Sequence, residues 1–345
     1  MRILPTSKPQ VYITMGDPAG IGPEVVAKAL ASPEIRGLAV FFVIVGDRDV
    51  IKNAFGPDKS SELSFYSIAP GNKEVVLRED RINVIDPSEP LRGLSPGNPT
   101  AEGASKALEC ISAAAGAVNI SDGGISRAMV TAPVSKDMIA RVCPGFVGHT
   151  EYLRDISRKT FVTMTLIGNS LTVIPVTRHI PLKNVAGALS KDLITGTLRQ
   201  VIENRRLICG RDDVRIGVSA LNPHAGESGK MGREEINIIS PAIEDVRREY
   251  PLIEGPISAD VIFYRALKKE VDIVISMYHD QCLAPFKMVD FDNGVNMTLG
   301  LGFIRTSPDH GTAFDIAGRG CASSGSMERA IKLAVRAINS SGPES

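Results

Sequence analysis

The sequence predicts an α/β protein built as two α/β/α lobes, with mostly parallel sheets covered by helices and an active-site cleft between the lobes. Three observations carry this. Apolar or β-branched runs of strand length recur along the chain, segments of helical spacing separate several of them, and 345 residues exceed what one compact core usually encloses. The runs 11–14, 38–45, 82–85, 128–131, 171–176, 214–220 and 271–277 read as strands. Segments 101–118, 192–204, 234–249 and 326–339 read as helices. Strands that alternate with helices pair in parallel, because a parallel pair needs a long crossover. The first strand runs into MGDPAGIGPE, where Gly16, Gly20 and Gly22 permit tight turns and Pro23 suits a first helical turn. Asp17 there is a candidate site carboxylate, whereas Glu24 reads as a first-turn charge that caps the helix.

Composition narrows the function classes. Lys plus Arg and Asp plus Glu each number 39, so no net field favours nucleic acid or an anionic membrane as partner. The five cysteines form no C-x-x-C pair, which suits reduced thiols in a cytoplasmic protein. The N-terminus has no apolar core of a signal segment, and the longest apolar run, 38–45, is too short to span a bilayer. No repeat or low-complexity tract interrupts the chain, and only the tail 340–345 is expected to fray.

The histidines are the most informative residues. His179, His224 and His279 each come just after a predicted strand, at its carboxyl end. In parallel α/β sheets those ends share the edge where ligands bind. Three neutral imidazoles that leave open coordination positions describe a catalytic divalent-metal site. A single loop histidine could equally cap a helix or bond a carbonyl; three in equivalent places favour the metal. No H-E-x-x-H supports a helix-borne zinc site.

Other junctions offer amides and cations. The segment LNPHAGESGKMGREE sets Gly226, Gly229 and Gly232 after a strand, where backbone amides could cradle an anion or close on a cofactor. Met231 rules out a Walker A loop, and a plain flexible turn would give a similar string. Lys136 in TAPVSK, Lys287 after His279 and Arg305 in GFIRTS suit a phosphate or carboxylate, and the last two flank the apolar, glycine-rich NGVNMTLGLGF. His149 and Thr150 in GHTEYL and His310 in DHGTAFDIAGRG complete the set; their bland alternatives are a helix N-cap at Thr150 and a loop-to-helix junction over 311–318.

Taken together and in order, MGDPAGIGPE, TAPVSK, GHTEYL, the strand ending in His179, NPHAGESGKMGREE, YHDQ and GVNMTLGLGFIRTSPDHGTAFDIAGRG resemble the 4-hydroxythreonine-4-phosphate dehydrogenase family of pyridoxal phosphate biosynthesis. The resemblance runs from about residue 11 to residue 335. It implies that His179, His224 and His279 bind one divalent metal per site (zinc, magnesium, manganese or cobalt), with the set completed across a homodimer interface. It places His149, Thr150, Lys287, Asn296 and Arg305 on the substrate and makes Asp260, in SADVIF, a site carboxylate. The stretch HGTAFDIAGRG also resembles the adenosine-side loop of isocitrate and isopropylmalate dehydrogenases, which implies their fold and a cofactor, NAD with NADP as the alternative. His310, Gly311, Thr312 and Asp315 would then hold it, with Gly226 and Gly229 closing on it. Residues 1–140 with 310–345 would form the cofactor lobe, and 141–309 the metal, substrate and dimerisation lobe. One departure is Cys282, where the family commonly has glycine after YHDQ, in a stretch taken as the loop that carries Lys287.

The implied reaction is NAD-dependent oxidation, with decarboxylation, of 4-phosphooxy-L-threonine to 3-amino-2-oxopropyl phosphate. Lys136 and Asp260 are the candidates for taking the hydroxyl proton, and either needs a shifted pKa to serve near neutrality. The rival within the same chemistry is dehydrogenation of 4-phospho-D-threonate or 4-phospho-D-erythronate. A non-enzymatic phosphometabolite-binding protein would explain the cations and glycines but not three strand-end histidines, and a scaffold role has no obvious partner face.

Overall fold

The structure, a computed structural model, describes residues 2–3, 8–56, 65–68, 74–79, 81–119 and 126–340. Of the tail expected to fray, 341–345 lie outside the described residues. The chain forms two compact units, Met1–Val162 with Leu301–Ser345, and Thr163–Gly300. Residues 141–162 and 301–309, read from the sequence as part of the second lobe, therefore fall in the first unit. The reason is non-local. Strand Ile304–Pro308 pairs in parallel with Arg127–Thr131, and the Tyr152 hydroxyl lies 2.8 Å from that of Ser112 on the helix Ala101–Val118.

In chain order the strands are Arg2–Ile3 (β1), Gln10–Thr14 (β2), Phe41–Val45 (β3), Phe65–Ile68 (β4), Glu74–Val75 (β5), Ile82–Ile85 (β6), Arg127–Thr131 (β7), Thr163–Ile167 (β8), Thr172–Thr177 (β9), Ile216–Ser219 (β10), Ile253–Ile257 (β11), Ile273–Tyr278 (β12), Val295–Leu299 (β13) and Ile304–Pro308 (β14). In the first unit the order is β14-β7-β2-β3-β6-β4, every pair parallel. In the second it is β11-β10-β12-β9-β8-β13; the first three pairs are parallel and β8 pairs antiparallel with both neighbours. The expected α/β class with mostly parallel sheets holds. The exception is local: β8 and β9 are joined by a tight turn, which only an antiparallel pair allows.

Strand interiors are buried on both faces, as parallel sheets covered by helices require; Val11, Tyr12, Ile13, Val43, Ile44 and Val130 have no exposed surface. Helix Ala101–Val118 coincides with its predicted span and is capped by Thr100, whose hydroxyl accepts the Gly103 amide at 3.0 Å. The segment 234–249 is not one regular helix. A wide turn, Glu235–Ile239, precedes the α-helix Ser240–Arg247, because Pro241 cannot donate the amide that would continue an ordinary ladder.

In the second unit the helix His279–Asp290 packs Cys282 and Phe286 into a core with Leu166, Val173, Ile262 and Val274. Its last residue, Asp290, is buried and accepts the amides of Asn169, Ser170 and Leu171, each at 2.9 Å. A Cβ on Gly168 would sit 2.3 Å from the Asp290 carboxyl carbon, so only glycine lets the β8–β9 turn close on this carboxylate. Replacing Asp290 with Ala leaves three amides without their acceptor. We expect a loss of roughly 2–4 kcal/mol, read as a lower urea midpoint; an unchanged midpoint would remove this clamp from the account of the fold.

Candidate active site

Two groups of candidate residues form, one in each unit. In the first unit, β7 ends at Thr131 and the chain turns through TAPVS into the helix Lys136–Val142, whose cap is Ser135 accepting the Met138 amide at 3.3 Å. Lys136 is thus the first residue of a helix. The MGDPAG loop is laced to this turn. The Asp17 amide donates to the Pro133 carbonyl at 2.8 Å, and its buried carboxylate accepts amides from Ala19 and Ser135. Burial pushes the Asp17 carboxyl up, with those two amides opposing.

Gly148 precedes the helix His149–Ile156, so His149 and Thr150 open it and Thr150 is not its cap. A Cβ on Gly148 would lie 3.4 Å from Lys136 Cε, which sets the Lys136 side chain beside the start of this helix. Arg305, on β14 next to β7, is 3% exposed and donates through Nε and Nη2 to Thr131 Oγ1 at 3.2 and 2.6 Å. Burial pulls its guanidinium down to about 10, against the pull of Glu151. His149 is held well below its ordinary pKa, first by burial and then by the positive charges of Arg305 and Lys136. Its Nε2 is buried without a hydrogen-bond partner. Lys136, His149 and Arg305 therefore make one cluster of positive potential with an unused donor or acceptor, a place suited to an anion.

In the same unit the HGT segment packs on the AGIG loop, with the Ile21 amide donating to the Thr312 carbonyl at 2.9 Å. His310 Nδ1 lies 3.1 Å from the Gly311 carbonyl and its Nε2 is buried without a partner. Residues 310–320, Asp315 among them, form turns rather than a helix start; the next helix begins at Gly325.

In the second unit, β9 and β12 are parallel neighbours with Thr177 opposite Tyr278. His179 and His279 follow those strands, and the pairing brings their ring centres to 5.5 Å. His279 Nδ1 is 2.7 Å from Asp280 Oδ1. Gln281 of YHDQ, which the sequence reading left without a role, ties this strand end to the next: its amide nitrogen donates to the Ala220 carbonyl at 2.7 Å while its oxygen accepts the Met277 amide at 2.7 Å.

His224 follows Ala220 in a turn of reversed hand. His224, Ala225, Glu227 and Ser228 have φ of 52°, 52°, 43° and 56°, a conformation that costs a non-glycine residue roughly 1–2 kcal/mol each. The buried Glu235 carboxylate holds the turn's entry, accepting the Leu221 and Asn222 amides at 2.9 and 2.8 Å. Asn222 Nδ2 donates to Glu235 and Glu234 at 3.0 and 2.7 Å. Burial alone would raise the Glu235 carboxyl, but these hydrogen bonds outweigh it and hold it low. A Cβ on Gly226, φ 77°, would meet Glu235 Oε2 at 2.6 Å, so Gly226 is required by this turn.

Asp260 sits in the first turn of the helix Ala259–Leu267, held low by the Ser258 hydroxyl and its own amide. That keeps it ionised and weakly basic, the opposite of the shift that a proton acceptor near neutrality needs. Among the described residues, no three His, Cys, Asp or Glu side chains of this chain gather as they would around an ion. Asn296 lies on β13 with its Oδ1 buried and unpartnered. Lys287 is on the helix His279–Asp290 rather than on a loop, with Nζ 5.1 Å from the Phe291 ring centre. Cys282 faces the core of that helix, where burial pushes its thiol up to about 12, so its side chain fills packing space and leaves the course of Lys287 to the helix.

The sequence profile described as pyridoxal phosphate biosynthetic protein PdxA matches residues 39–334. A 4-hydroxythreonine-4-phosphate dehydrogenase from Desulfosudis oleivorans is 40% identical over 95% of this chain and 96% of its own length. The crystal structure of a 4-hydroxythreonine-4-phosphate dehydrogenase from Klebsiella pneumoniae is 36% identical, covers 96% of this chain and 99% of its own, and superposes with a TM-score of 0.81. A terephthalate 1,2-cis-dihydrodiol dehydrogenase from Burkholderia xenovorans is 25% identical with a TM-score of 0.67, over 95% of this chain and 97% of that one. The resemblance read from the motifs is thereby borne out, and the chain belongs to the PdxA family of pyridoxal phosphate biosynthetic proteins.

Proposed function

We propose that this chain is an NAD-dependent, divalent-metal-dependent dehydrogenase that oxidises and decarboxylates 4-phosphooxy-L-threonine, working as a cytoplasmic homodimer. The observation that carries the reading is the His179–His279 pair at the carboxyl ends of two adjacent parallel strands. Imidazole nitrogens bind zinc at about 2.0–2.1 Å, which sets two rings on one ion with centres roughly 5 Å apart; the observed 5.5 Å fits. His224, with Asp260 beside it, would supply a further donor from the partner copy. A bound divalent ion would supply a Lewis acid that favours the deprotonated substrate hydroxyl, and a nicotinamide cofactor would supply the hydride acceptor.

The chain's own residues do the rest. Arg305 and Lys136 carry the charge that holds phosphate or carboxylate, and His149, kept neutral first by burial and then by those charges, offers Nε2 to an anionic oxygen. Thr150, which opens the same helix as His149, would complete the grip. Asp260 is shifted the wrong way to take the hydroxyl proton. His310, Gly311, Thr312 and Asp315 would hold the cofactor. Met288 at 85%, Leu182 at 70%, Phe291 at 69% and Tyr264 at 60% exposure are the large apolar side chains of the second unit that a partner copy would cover. No helix of the described residues is long and apolar enough to cross a membrane.

The reading is tested by following NADH formation with 4-phosphooxy-L-threonine, 4-phospho-D-threonate and 4-phospho-D-erythronate, each with a chelator and with added divalent ion. We expect turnover of the first acid that is lost to the chelator and restored by the ion. His279→Ala should slow it by roughly a thousandfold, the equivalent of several kcal/mol of charge stabilisation; wild-type rates from that variant in chelator would end the metal assignment. A second expectation concerns pH. The folded pKa of His149 lies below its unfolded value of about 6.5, so the unfolded chain binds more protons and stability falls as pH drops below about 6.5. His149→Gln should flatten the fall in thermal midpoint between about pH 7 and about pH 5; an unaltered slope would show that the ring is not held neutral.

A further inference from the structure

In the second unit β12 stays paired with β9 to its end but parts early from β10. Its pairing with β9 runs through Tyr278, opposite Thr177, and the Thr177 hydroxyl donates to the Met277 carbonyl at 2.8 Å. Its pairing with β10 stops at Ile275, opposite Val218. Carrying that register forward sets Ala220 opposite Met277, and there the Gln281 side chain bridges the two strands. Its Oε1 accepts the Met277 amide and its Nε2 donates to the Ala220 carbonyl, each at 2.7 Å. A direct bond between strands spans about 2.9 Å from nitrogen to oxygen. The bridge inserts a whole carboxamide between two such bonds, and so holds the strand ends open by the width of that group.

The sequence puts the bridge there for a local reason. Gln281 is the third residue of the helix His279–Asp290, the position from which a glutamine reaches back to the amides that precede a helix. It is 9% exposed, and a carboxamide offers an acceptor to Met277 and a donor to Ala220 at once, which neither a carboxylate nor an ammonium can. The chain beyond Ala220 is held as well. The Ala220 amide donates to the Ile257 carbonyl at 2.7 Å, and the Leu221 and Asn222 amides go to Glu235. The turn that carries His224 therefore hangs from two side chains, Gln281 and Glu235, and a shift at Ala220 is passed on to the ring.

We propose that Gln281 is a positioning residue for the divalent ion, a wedge that sets the separation between the His179–His279 pair and the turn that carries His224. Thr177 keeps β12 against β9, which holds the pair together, while Gln281 keeps β12 off β10, which holds His224 apart from it. Without the wedge the two strand ends close and His224 moves relative to the pair. The proposal rests on the metal reading given above and gives Gln281 no contact with ion, substrate or cofactor.

The test is the zinc affinity of the full chain, stripped of metal and titrated against a chromophoric chelator, together with the ligand-field spectrum of cobalt(II) bound in place of zinc. Gln281→Met keeps the length of the side chain and loses both hydrogen bonds. It should weaken zinc by about 10–100-fold, the usual effect of removing a group that holds a metal's ligands in place, and shift the cobalt bands. Asp290→Ala, which frees the β8–β9 turn from the far end of the same helix, should lower the urea midpoint and leave zinc affinity unchanged; this separates positioning from loss of stability. If Gln281→Met does not fold, Gln281→Asn, whose carboxamide is a methylene too short to reach both strands, carries the same expectation. Zinc affinity and a cobalt spectrum equal to wild type in a folded Gln281 variant overturn the proposal, and so does an equal loss of affinity in Asp290→Ala. A wild type that binds no divalent ion overturns the metal reading itself, and the wedge with it.

Discussion

Parallel pairing is the constraint on which the rest depends. Parallel strands send every carboxyl end to the same edge of their sheet, and the loops that leave there must meet. In the second unit the register that sets Thr177 opposite Tyr278 is what brings His179 to His279. In the first unit β7 and β14 lie side by side, which sets Arg305 against Thr131 at the turn that leads to Lys136. None of these groupings joins residues close in sequence.

Convergent loops must also be held still, and the chain uses one device repeatedly. A buried carboxylate accepts several backbone amides: Asp17 from Ala19 and Ser135, Asp47 from three residues, Glu235 from Leu221 and Asn222, Asp290 from the β8–β9 turn. Such bonds are charge-assisted and satisfy amides that no ladder can reach. Asp17, singled out from the sequence as a site carboxylate, is one of these clamps.

Much of the fold was legible because burial in a parallel sheet leaves a plain mark. The apolar β-branched runs at β2, β3, β6, β7, β9, β10 and β12 all formed near their expected spans. Strands β8 and β13 were not seen because threonines break up TMTLI and VNMTL, and β11 was hidden by Gly-Pro in IEGPI, which an edge position tolerates. The lobe boundary was misplaced for a different reason: β14 joins β7 across more than half the chain, and no local pattern records such a pairing. At the site, the strand-end histidines, Lys136 and Arg305 could be singled out by residue type and context. The helix under Lys287, the Glu235 clamp and the Gln281 bridge could not, since each is set by what packs against what.

The reversed turn at His224 has a consequence for how this region can vary over evolutionary time. Its four left-handed non-glycine residues are screened by backbone stereochemistry before any question of polarity or size arises. Glycine and asparagine enter such positions cheaply, whereas valine, isoleucine and threonine are turned away. Descendants of this chain therefore have a narrow choice of neighbours for the imidazole at 224, and the lineage is freer to drift elsewhere than beside that ring.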